Sequence, residues 1–372
     1  MCWRSSRQSP IVVAMNRSWS IHEVPADPSH AAEIAAMVGV RDAVVRDTWA
    51  NADLAEPVQV ELAALRDQSY TRIGYLAAVE GGRTLGAAFL RLPMRDNTAT
   101  GWVDLLVLPE QRGRGIGSAL HDEALAWLRG QGRTVAQAST DQRAEPAAGP
   151  MALEPPAGAG RVRGDSRDVR FMRERGWSLE QVERRSVLPL PPADGALDRF
   201  VDESSAAAGD DYRLVSWGTD APDEWVEHYA YLLGRMSIDA PVGGMHWRQQ
   251  AWDAARVRTM QERARAGGYR LLVLAAEHVP THALAAFTQL WVPSHTDEVV
   301  HQGDTLVVPE HRGRRLGMLV KAANLRRLAD ECPAARRVDT WNAEENRWML
   351  AINVTLGFRP SGGSGEWQLR LS

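Results

Sequence analysis

Val107-Leu-Pro-Glu-Gln-Arg-Gly-Arg-Gly-Ile-Gly117 is the most informative segment of the chain, because it occurs a second time as Val307-Val-Pro-Glu-His-Arg-Gly-Arg-Arg-Leu-Gly317. Seven of the eleven positions are identical, and every match has an offset of 200 residues. Asp104 and Asp304, just upstream, keep the same offset. Self-similarity at a fixed spacing is typical of a duplicated structural unit. The sequence therefore predicts a tandem pair of similar domains.

The surroundings of the two segments predict the same order of strands and helices. Before each segment lies a short apolar run that indicates a buried strand, and after each comes a helical pattern. Each copy later has a short helix that ends at a glycine and an aromatic residue, Gly176-Trp177 and Gly357-Phe358. The expected strands are 75–79, 84–90, 103–108, 134–138 and 182–188 in the first copy and 212–216, 271–277, 283–290, 305–308, 337–341 and 367–371 in the second, and the expected helices include 116–128 and 316–328. This mixture predicts the α/β class, with a mixed sheet in each copy.

Composition suggests where the two domains begin and end. Residues 1–18 contain an apolar run too short for the core of a signal peptide, so a disordered extension is expected there. Residues 19–192 are expected to form the N-terminal domain, with a flexible insertion at 143–160 that is rich in Ala, Pro and Gly. Residues 193–372 are expected to form the C-terminal domain. The length of 372 residues suits such a pair.

The overall composition excludes several classes of partner. The net charge is −4, so neither nucleic acid nor a membrane surface is predicted as a partner, and no apolar run approaches the length of a membrane helix. Two cysteines, Cys2 and Cys332, are too few for a disulfide framework and favour the cytoplasm. The histidines lack the spacing of a zinc site, so no metal is expected. We expect a monomer or a homodimer.

A strand that enters an Arg- and Gly-rich turn and then a helix is suited to bind an anion. The first N–H groups of the helix are free, its dipole favours negative charge, and glycine lets the backbone approach a phosphate closely. Both segments lack the Gly-Lys-Ser/Thr of a P-loop and the Gly-x-Gly-x-x-Gly of a dinucleotide site. The pattern therefore predicts a diphosphate ligand that belongs to neither of those classes.

The same residues resemble the pyrophosphate loop of the GNAT family of N-acetyltransferases, Gln/Arg-x-x-Gly-x-Gly/Ala. The first loop fits the pattern fully, and the second has Arg315 in place of its middle glycine. The resemblance implies two tandem GNAT folds, each with a splayed sheet that holds acetyl-CoA as co-substrate. It further implies a set of residues that contact acetyl-CoA, comprising Val107, Leu108, Arg112, Gly113, Arg114, Gly115, Ile116 and Gly117 in the first copy and Val307, Val308, Arg312, Gly313, Arg314, Arg315, Leu316, Gly317, Asn346 and Asn353 in the second.

The catalytic groups are less well defined by the sequence. The family's tyrosine acid falls at Met172 and Asn353, so neither copy keeps it. His301 and Asp304 are candidates for the general base, with a water relay as the alternative. Since side chains alternate along a strand, only one of these two is expected to face the cleft unless a bulge intervenes. By its offset His301 corresponds to Gly101, so it would be specific to the second copy, which we favour as the catalytic one.

The sequence therefore predicts an N-acetyltransferase that moves an acetyl group from acetyl-CoA to a primary amine by direct transfer in a ternary complex. The acceptor is expected to be a small molecule. Two alternatives stay open: an acyl-CoA-binding regulatory or scaffold protein of weak activity, and a protein or peptide acetyltransferase.

Overall fold

The structure is a computed structural model in which residues 17–193 and 195–372 are described. The expected extension at 1–18 therefore lies almost wholly outside the described residues. The strands are β1 Ser20–Val24, β2 Thr71–Glu80, β3 Arg83–Pro93, β4 Thr100–Val107, β5 Val135–Gln142, β6 Ala152–Leu153, β7 Val162–Arg163, β8 Ser178–Pro189, β9 Tyr212–Trp217, β10 Tyr269–His278, β11 Ala283–Pro293, β12 Val300–Val307, β13 Arg337–Ala343 and β14 Arg359–Arg370. The helices are α1 Ala31–Trp49, α2 Val58–Ala64, α3 Ile116–Gly130, α4 Arg167–Glu174, α5 Ala196–Ala208, α6 Val226–Asp239, α7 Ala254–Ala266, α8 Leu316–Glu331 and α9 Arg347–Leu356.

The duplicated segments form the same structure twice, as β4–loop–α3 and β12–loop–α8. Each helix begins directly after a residue in the left-handed conformation, Gly115 or Arg315. Apolar side chains of α3 and α8 pack on one face of the sheet, while α1, α2, α6 and α7 cover the other. The predicted mixed-sheet α/β class is confirmed.

The two repeats share one sheet of twelve strands and exchange their last strands. The order is β1-β2-β3-β4-β5-β14-β8-β13-β12-β11-β10-β9. The last strand of the second repeat, β14, pairs with β5 of the first, and the last strand of the first, β8, pairs with β13 of the second. β8 and β14 also pair with each other at the centre. The domain boundary at 193 stays a prediction, and the hydrogen-bonded sheet crosses it.

In each repeat a cleft opens where two parallel strands separate. β4 pairs with β5 only from Thr100 to Trp102, and β12 pairs with β13 only at Val300 and His301. Beyond these pairs the strands separate toward the Gly/Arg loop. Asp104 and Asp304 therefore lie at the start of the two openings. None of the helices in the described ranges is long and apolar enough to cross a membrane.

Candidate active site

The loop of the first repeat leaves open space where a ligand's phosphates would lie. Gly113 and Gly115 have φ values of 81° and 80°, in the region that favours glycine. No atom lies within 4 Å of the position that a Cβ would take on either residue. The free N–H groups of the first turn of α3 follow directly. This backbone fits a phosphate group that approaches closely.

The first arginine of each loop ties the loop to the end of its strand. Arg112 Nε donates to the Val107 carbonyl at 3.2 Å, and Arg312 Nε donates to the Val307 carbonyl at 3.1 Å. Arg112 also pairs with Asp47 at 2.6 Å, and Arg114 pairs with Glu80 at 2.7 Å. These arginines stabilise the conformation of the loop through hydrogen bonds and ion pairs to other residues of the protein.

Two adjoining cavities occupy the cleft of the first repeat. The loop cavity, of about 470 Å³, extends from Gly113 and Gly117 past His121 to Asp104 and Asp141. The arginine cavity, of about 290 Å³, contains Arg41 and Arg91 in its wall. The residues that line both cavities are Val44, Thr48, Asp104, Leu106, Ser139 and Asp141. A ligand on the loop and a ligand in the arginine cavity would therefore meet at the two aspartates.

The two aspartates differ in their surroundings. Burial and the nearby Asp104 raise the pKa of Asp141 to about 6, although Asp141 remains open to the cavity and accepts a hydrogen bond from Trp49 Nε1 at 3.2 Å. Burial also raises the pKa of Asp104, while Arg41 and Arg91 oppose that rise. Asp141 thus has a pKa suited to a general base near neutral pH.

Glu61 holds the wall of the arginine cavity together. Its carboxylate accepts from Arg41 and Arg91 at 2.6 Å each and from the Tyr75 hydroxyl at 2.9 Å. Glu61 is almost fully buried, and burial alone would raise its pKa, but the two guanidinium groups hold that pKa at about 2. The four side chains come from α1, α2, β2 and β3, so this network fixes the helices of the first repeat on its sheet.

The loop of the second repeat is more strained and more crowded. Arg315 has a φ of 57°, so the residue that replaces the glycine adopts a conformation that costs about 1–2 kcal/mol for an L-residue. A Cβ on Gly317 would lie 3.1 Å from Ile352 Cδ1, whereas the nearest atom to a Cβ on Gly117 is 3.6 Å away. The second loop therefore leaves less room beside its helix.

The two asparagines predicted to contact acetyl-CoA have partners within the protein. Asn346 caps α9 and accepts from the Met349 N–H at 3.3 Å. Asn353 is 1% exposed, and its Nδ2 donates to Asn342 Oδ1 on β13 at 2.6 Å. In this structure the Asn346 side chain caps α9, and the Asn353 side chain links α9 to β13. Their contact with acetyl-CoA stays a prediction.

A β-bulge changes the geometry expected for His301 and Asp304. Gly303 and Asp304 together face Gln289, so one extra residue enters β12. His301 and Asp304 consequently lie on the same face of the sheet, where simple alternation would separate them. His301 lies opposite Trp291, as Trp102 lies opposite Arg91, so its structural counterpart is Trp102 and the correspondence with Gly101 is wrong.

The two predicted bases lie in the walls of different cavities. His301 Nδ1 is 2.8 Å from Asp339 Oδ1, which raises the pKa of His301 against the effect of burial, and His301 lines a cavity of about 520 Å³ between the repeats. Asp304 lines a separate cavity of about 430 Å³, and burial raises its pKa to about 6. Their role as bases stays a prediction.

Sequence reasoning missed Asp141, Glu61, Arg41 and Arg91. The strand that carries Asp141 was expected to end at residue 138, whereas β5 continues to Gln142. Asp141 lies on the same strand face as Gln137 and Ser139, and this alternation was the available signal. The Glu61 network joins residues far apart in sequence, so no local pattern indicated it.

Comparison with known proteins agrees with this geometry. The family model of the Acetyltransferase (GNAT) family matches residues 43–149, within the first repeat. The chain is 26% identical over 321 residues to mycothiol acetyltransferase of Rothia mucilaginosa (strain DY-18), in an alignment that covers 82% of this chain and 80% of the relative. It is similar to the solved structure of a tandem GNAT protein from the clavulanic acid biosynthesis pathway, with a TM-score of 0.73 and 27% identity over 95% of this chain and 99% of that one. A GCN5-related N-acetyltransferase from Sphaerobacter thermophilus shares the fold, with a TM-score of 0.59 and 12% identity over 95% and 96% of the two chains.

Together with these matches, the duplicated splayed sheet and its glycine loop indicate an acyltransferase. The first repeat matches the GNAT family model, and the chain as a whole is similar to a tandem member of that family. Proteins of this family use acetyl-CoA as co-substrate and transfer its acetyl group to an acceptor.

Proposed function

We propose that this protein transfers the acetyl group of acetyl-CoA to a primary amine of a small molecule, and that both substrates bind in the first repeat. The observation that carries the proposal is the continuous space between the glycine loop and the pair Asp104 and Asp141. Direct transfer in a ternary complex suits this arrangement, because the two cavities meet at the aspartates, where an amine could attack the thioester directly.

The first loop has the features that hold a diphosphate. The N–H groups of residues 113–117 and the dipole of α3 would stabilise the diphosphate charge, and Gly117 and Phe171 would border the arm that extends into the cleft. Acetyl-CoA supplies an activated thioester when bound. The protein's part is to orient that thioester beside the aspartates and to exclude water from it.

Asp141 is the group that would accept the amine's proton. Its carboxylate takes that proton as the nitrogen lone pair attacks the thioester carbonyl, the C–N bond forms, and the C–S bond then breaks. His121 is not available as an acid, because Trp177 Nε1 donates to its Nε2 at 3.1 Å and its Nδ1 lies 3.0 Å from Asp122. The leaving thiolate takes its proton from solvent, which is an easy step since an unperturbed thiol has a pKa of about 8.5.

A small acceptor suits the size of the site. The arginine cavity of about 290 Å³ is bounded by α1 and β3, and this volume favours a small molecule over a peptide. The names of two similar proteins, mycothiol acetyltransferase and a tandem GNAT protein of the clavulanic acid pathway, also support small-molecule chemistry. Catalysis in the second repeat, predicted from its sequence, is the alternative that the following experiment tests.

Calorimetric titration with acetyl-CoA separates the two repeats. Gly117→Trp would fill the loop cavity, so we expect at least about 100-fold weaker binding, whereas Gly317→Trp should leave the affinity of the first repeat unchanged. Gly130→Trp, at the open end of α3, is the matched control. Loss of binding with Gly317→Trp and not with Gly117→Trp would move the site to the second repeat.

Turnover is then tested with a panel of primary amines by following release of the CoA thiol. Acetylation of at least one small amine is the expected result. Binding of acetyl-CoA without turnover of any amine, small molecule or peptide would contradict the proposal and favour a regulatory acyl-CoA-binding protein.

A further inference from the structure

The cavity that Asp304 lines adjoins the arginine cavity on the same face of the sheet, and carboxylates line its wall. This acidic cavity, of about 430 Å³, has Glu183 of β8, Glu366 of β14 and Asp304 of β12 in its wall. No lysine or arginine lines it among the described residues. Buried carboxylates without a cation are unfavourable, so this wall is complementary to a positively charged ligand.

Glu366 shows most directly that these carboxylates lack a positively charged partner. Its side chain is only 9% exposed, the Ser364 hydroxyl donates to its Oε1 at 2.5 Å, and Oε2 has no hydrogen-bond partner among the described residues. Glu183, on the neighbouring strand, likewise has none for either oxygen. Burial raises the pKa of both carboxyls, and the charge of Glu183 raises that of Glu366 further. A cation bound between them would relieve this repulsion.

The remaining wall suits an alkylammonium group. Aromatic rings and thioethers surround the carboxylates, and an ammonium group is attracted to the face of an aromatic ring. These residues are Trp102, Trp247, Trp252, Met236 and Met245. Gln137 and Gln181 add amide oxygens that can accept hydrogen bonds from an ammonium group.

The acidic cavity lies beside the proposed acceptor site. Trp102 lines both the acidic cavity and the arginine cavity. Glu366 is the direct cross-strand partner of Ser139, two residues before Asp141 on the same strand face. Diagonal neighbours of this kind have Cα atoms roughly 7–8 Å apart. A short molecule with a positive charge at each end can therefore reach both carboxylate groups.

We propose that the acceptor is a diamine, one of whose nitrogens reacts between Asp104 and Asp141 while the other stays protonated in the acidic cavity against Glu366 and Glu183. This inference rests on the proposed function, because it takes Asp141 as the place of reaction. The second nitrogen undergoes no covalent change. Its role is to orient the first one.

Binding measurements test the subsite without requiring turnover. The intact chain is titrated by calorimetry with putrescine, with butylamine, and with 4-aminobutyrate, in which a carboxylate replaces the second amine. We expect putrescine to bind roughly 10- to 100-fold more tightly than the other two, as charge-assisted hydrogen bonds to a second ammonium group would give. Glu366→Gln and Glu183→Gln should each remove most of this preference.

A matched control distinguishes the subsite from a general charge effect. Glu180 lies on the same strand as Glu183 and does not line the acidic cavity, so Glu180→Gln should keep the preference for putrescine. Equal affinity for the three probes, or the same loss with Glu180→Gln, would overturn the diamine proposal.

Failure of this proposal and failure of the proposed function give different results. If acetyl-CoA binds and a monoamine is acetylated as fast as putrescine, only the diamine subsite is wrong. If putrescine binds with the expected preference and no amine is acetylated, the cation site stands and the acetyl-transfer proposal fails.

Discussion

Gly115 of the first repeat and Arg315 of the second occupy the same place before a helix, with φ values of 80° and 57°. The common frame of strand, loop and helix requires this left-handed residue whichever amino acid is present. Glycine adopts it without strain and leaves the space above it open, whereas arginine adopts it at a cost. The second loop therefore keeps the fold of the first while losing part of its fit to a phosphate.

The side chains on the two halves of the sheet differ more than the loops do. In the first repeat Arg41 and Arg91 surround Glu61, and they also lie near Asp104. In the second repeat Gln261, 200 positions after Glu61, is buried as an uncharged residue, and Asp304 has no arginine that lowers its pKa. The first repeat thus has a buried carboxylate with two arginines beside its cavity, whereas the second has an uncharged glutamine 200 positions after that carboxylate.

Loss of the proposed base should give the largest effect. Asp141→Asn is expected to lower kcat/KM by roughly 100-fold or more, as removal of a general base does. Glu344 directly follows β13 in the second repeat and serves as the control. Glu344 forms an ion pair with Arg184 at 2.6 Å, so Glu344→Gln should leave kcat/KM within a factor of about 3.

The pH profile gives an independent check on Asp141. Only the deprotonated carboxylate can accept a proton, so kcat/KM should rise with pH through about 6 and then level off on this limb. Besides Asp104, the charged groups that act on Asp141 are Asp168, which raises its pKa, and Arg185, which lowers it. The limb should disappear in Asp141→Asn. If the limb persists in Asp141→Asn, it reports the titration of a group other than Asp141.

Glu61→Gln would make the first repeat resemble the second at this position. It leaves Arg41 and Arg91 buried without their carboxylate, so we expect the free energy of unfolding at pH 7 to fall by about 3 kcal/mol. Urea denaturation measures this change. Exposed Glu33 is the control, because Glu33→Gln removes only a surface contact to His22.

The stabilisation that Glu61 provides should depend on pH in a defined direction. The pKa of Glu61 is about 2 when folded and about 4.3 when unfolded, so its stabilisation is present above the unfolded pKa and is lost as the pH falls toward 2. The difference in stability between wild type and Glu61→Gln should therefore narrow over that range. A difference that stays constant would exclude the ion pairs as its cause.

Arg315→Gly would make the second loop resemble the first, and its effect should be the smallest. Relief of the left-handed strain is expected to raise the free energy of unfolding by about 1 kcal/mol. Arg314→Gly is the matched control, because Arg314 has no positive φ and its change to glycine relieves no left-handed strain. In a Gly117→Trp background Arg315→Gly should not restore acetyl-CoA binding, since Ile352 still crowds the second loop.

Local sequence patterns predicted the elements well. The helix expected at 116–128 is Ile116–Gly130, the one expected at 316–328 is Leu316–Glu331, and the strand expected at 182–188 is Ser178–Pro189. The bulge in β12 was not predictable, because it depends on the register in which Gly303 and Asp304 pair with the neighbouring strand, and local patterns do not specify register. Asp141 was missed for a related reason, since the end of a strand is set by its neighbours.

The duplication, the strand–loop–helix frame and the anion-binding character of the loop follow from the sequence alone, because each depends on residues close together in the chain. The exchange of β8 and β14 is seen only in the folded chain, where Glu366 of β14 lies beside Ser139 of the first repeat. The room beside each loop also depends on tertiary packing, because Ile352 of α9 lies closer to Gly317 than any side chain lies to Gly117. Strand partners and cavities depend on long-range packing, which the order of residues along the chain does not specify locally.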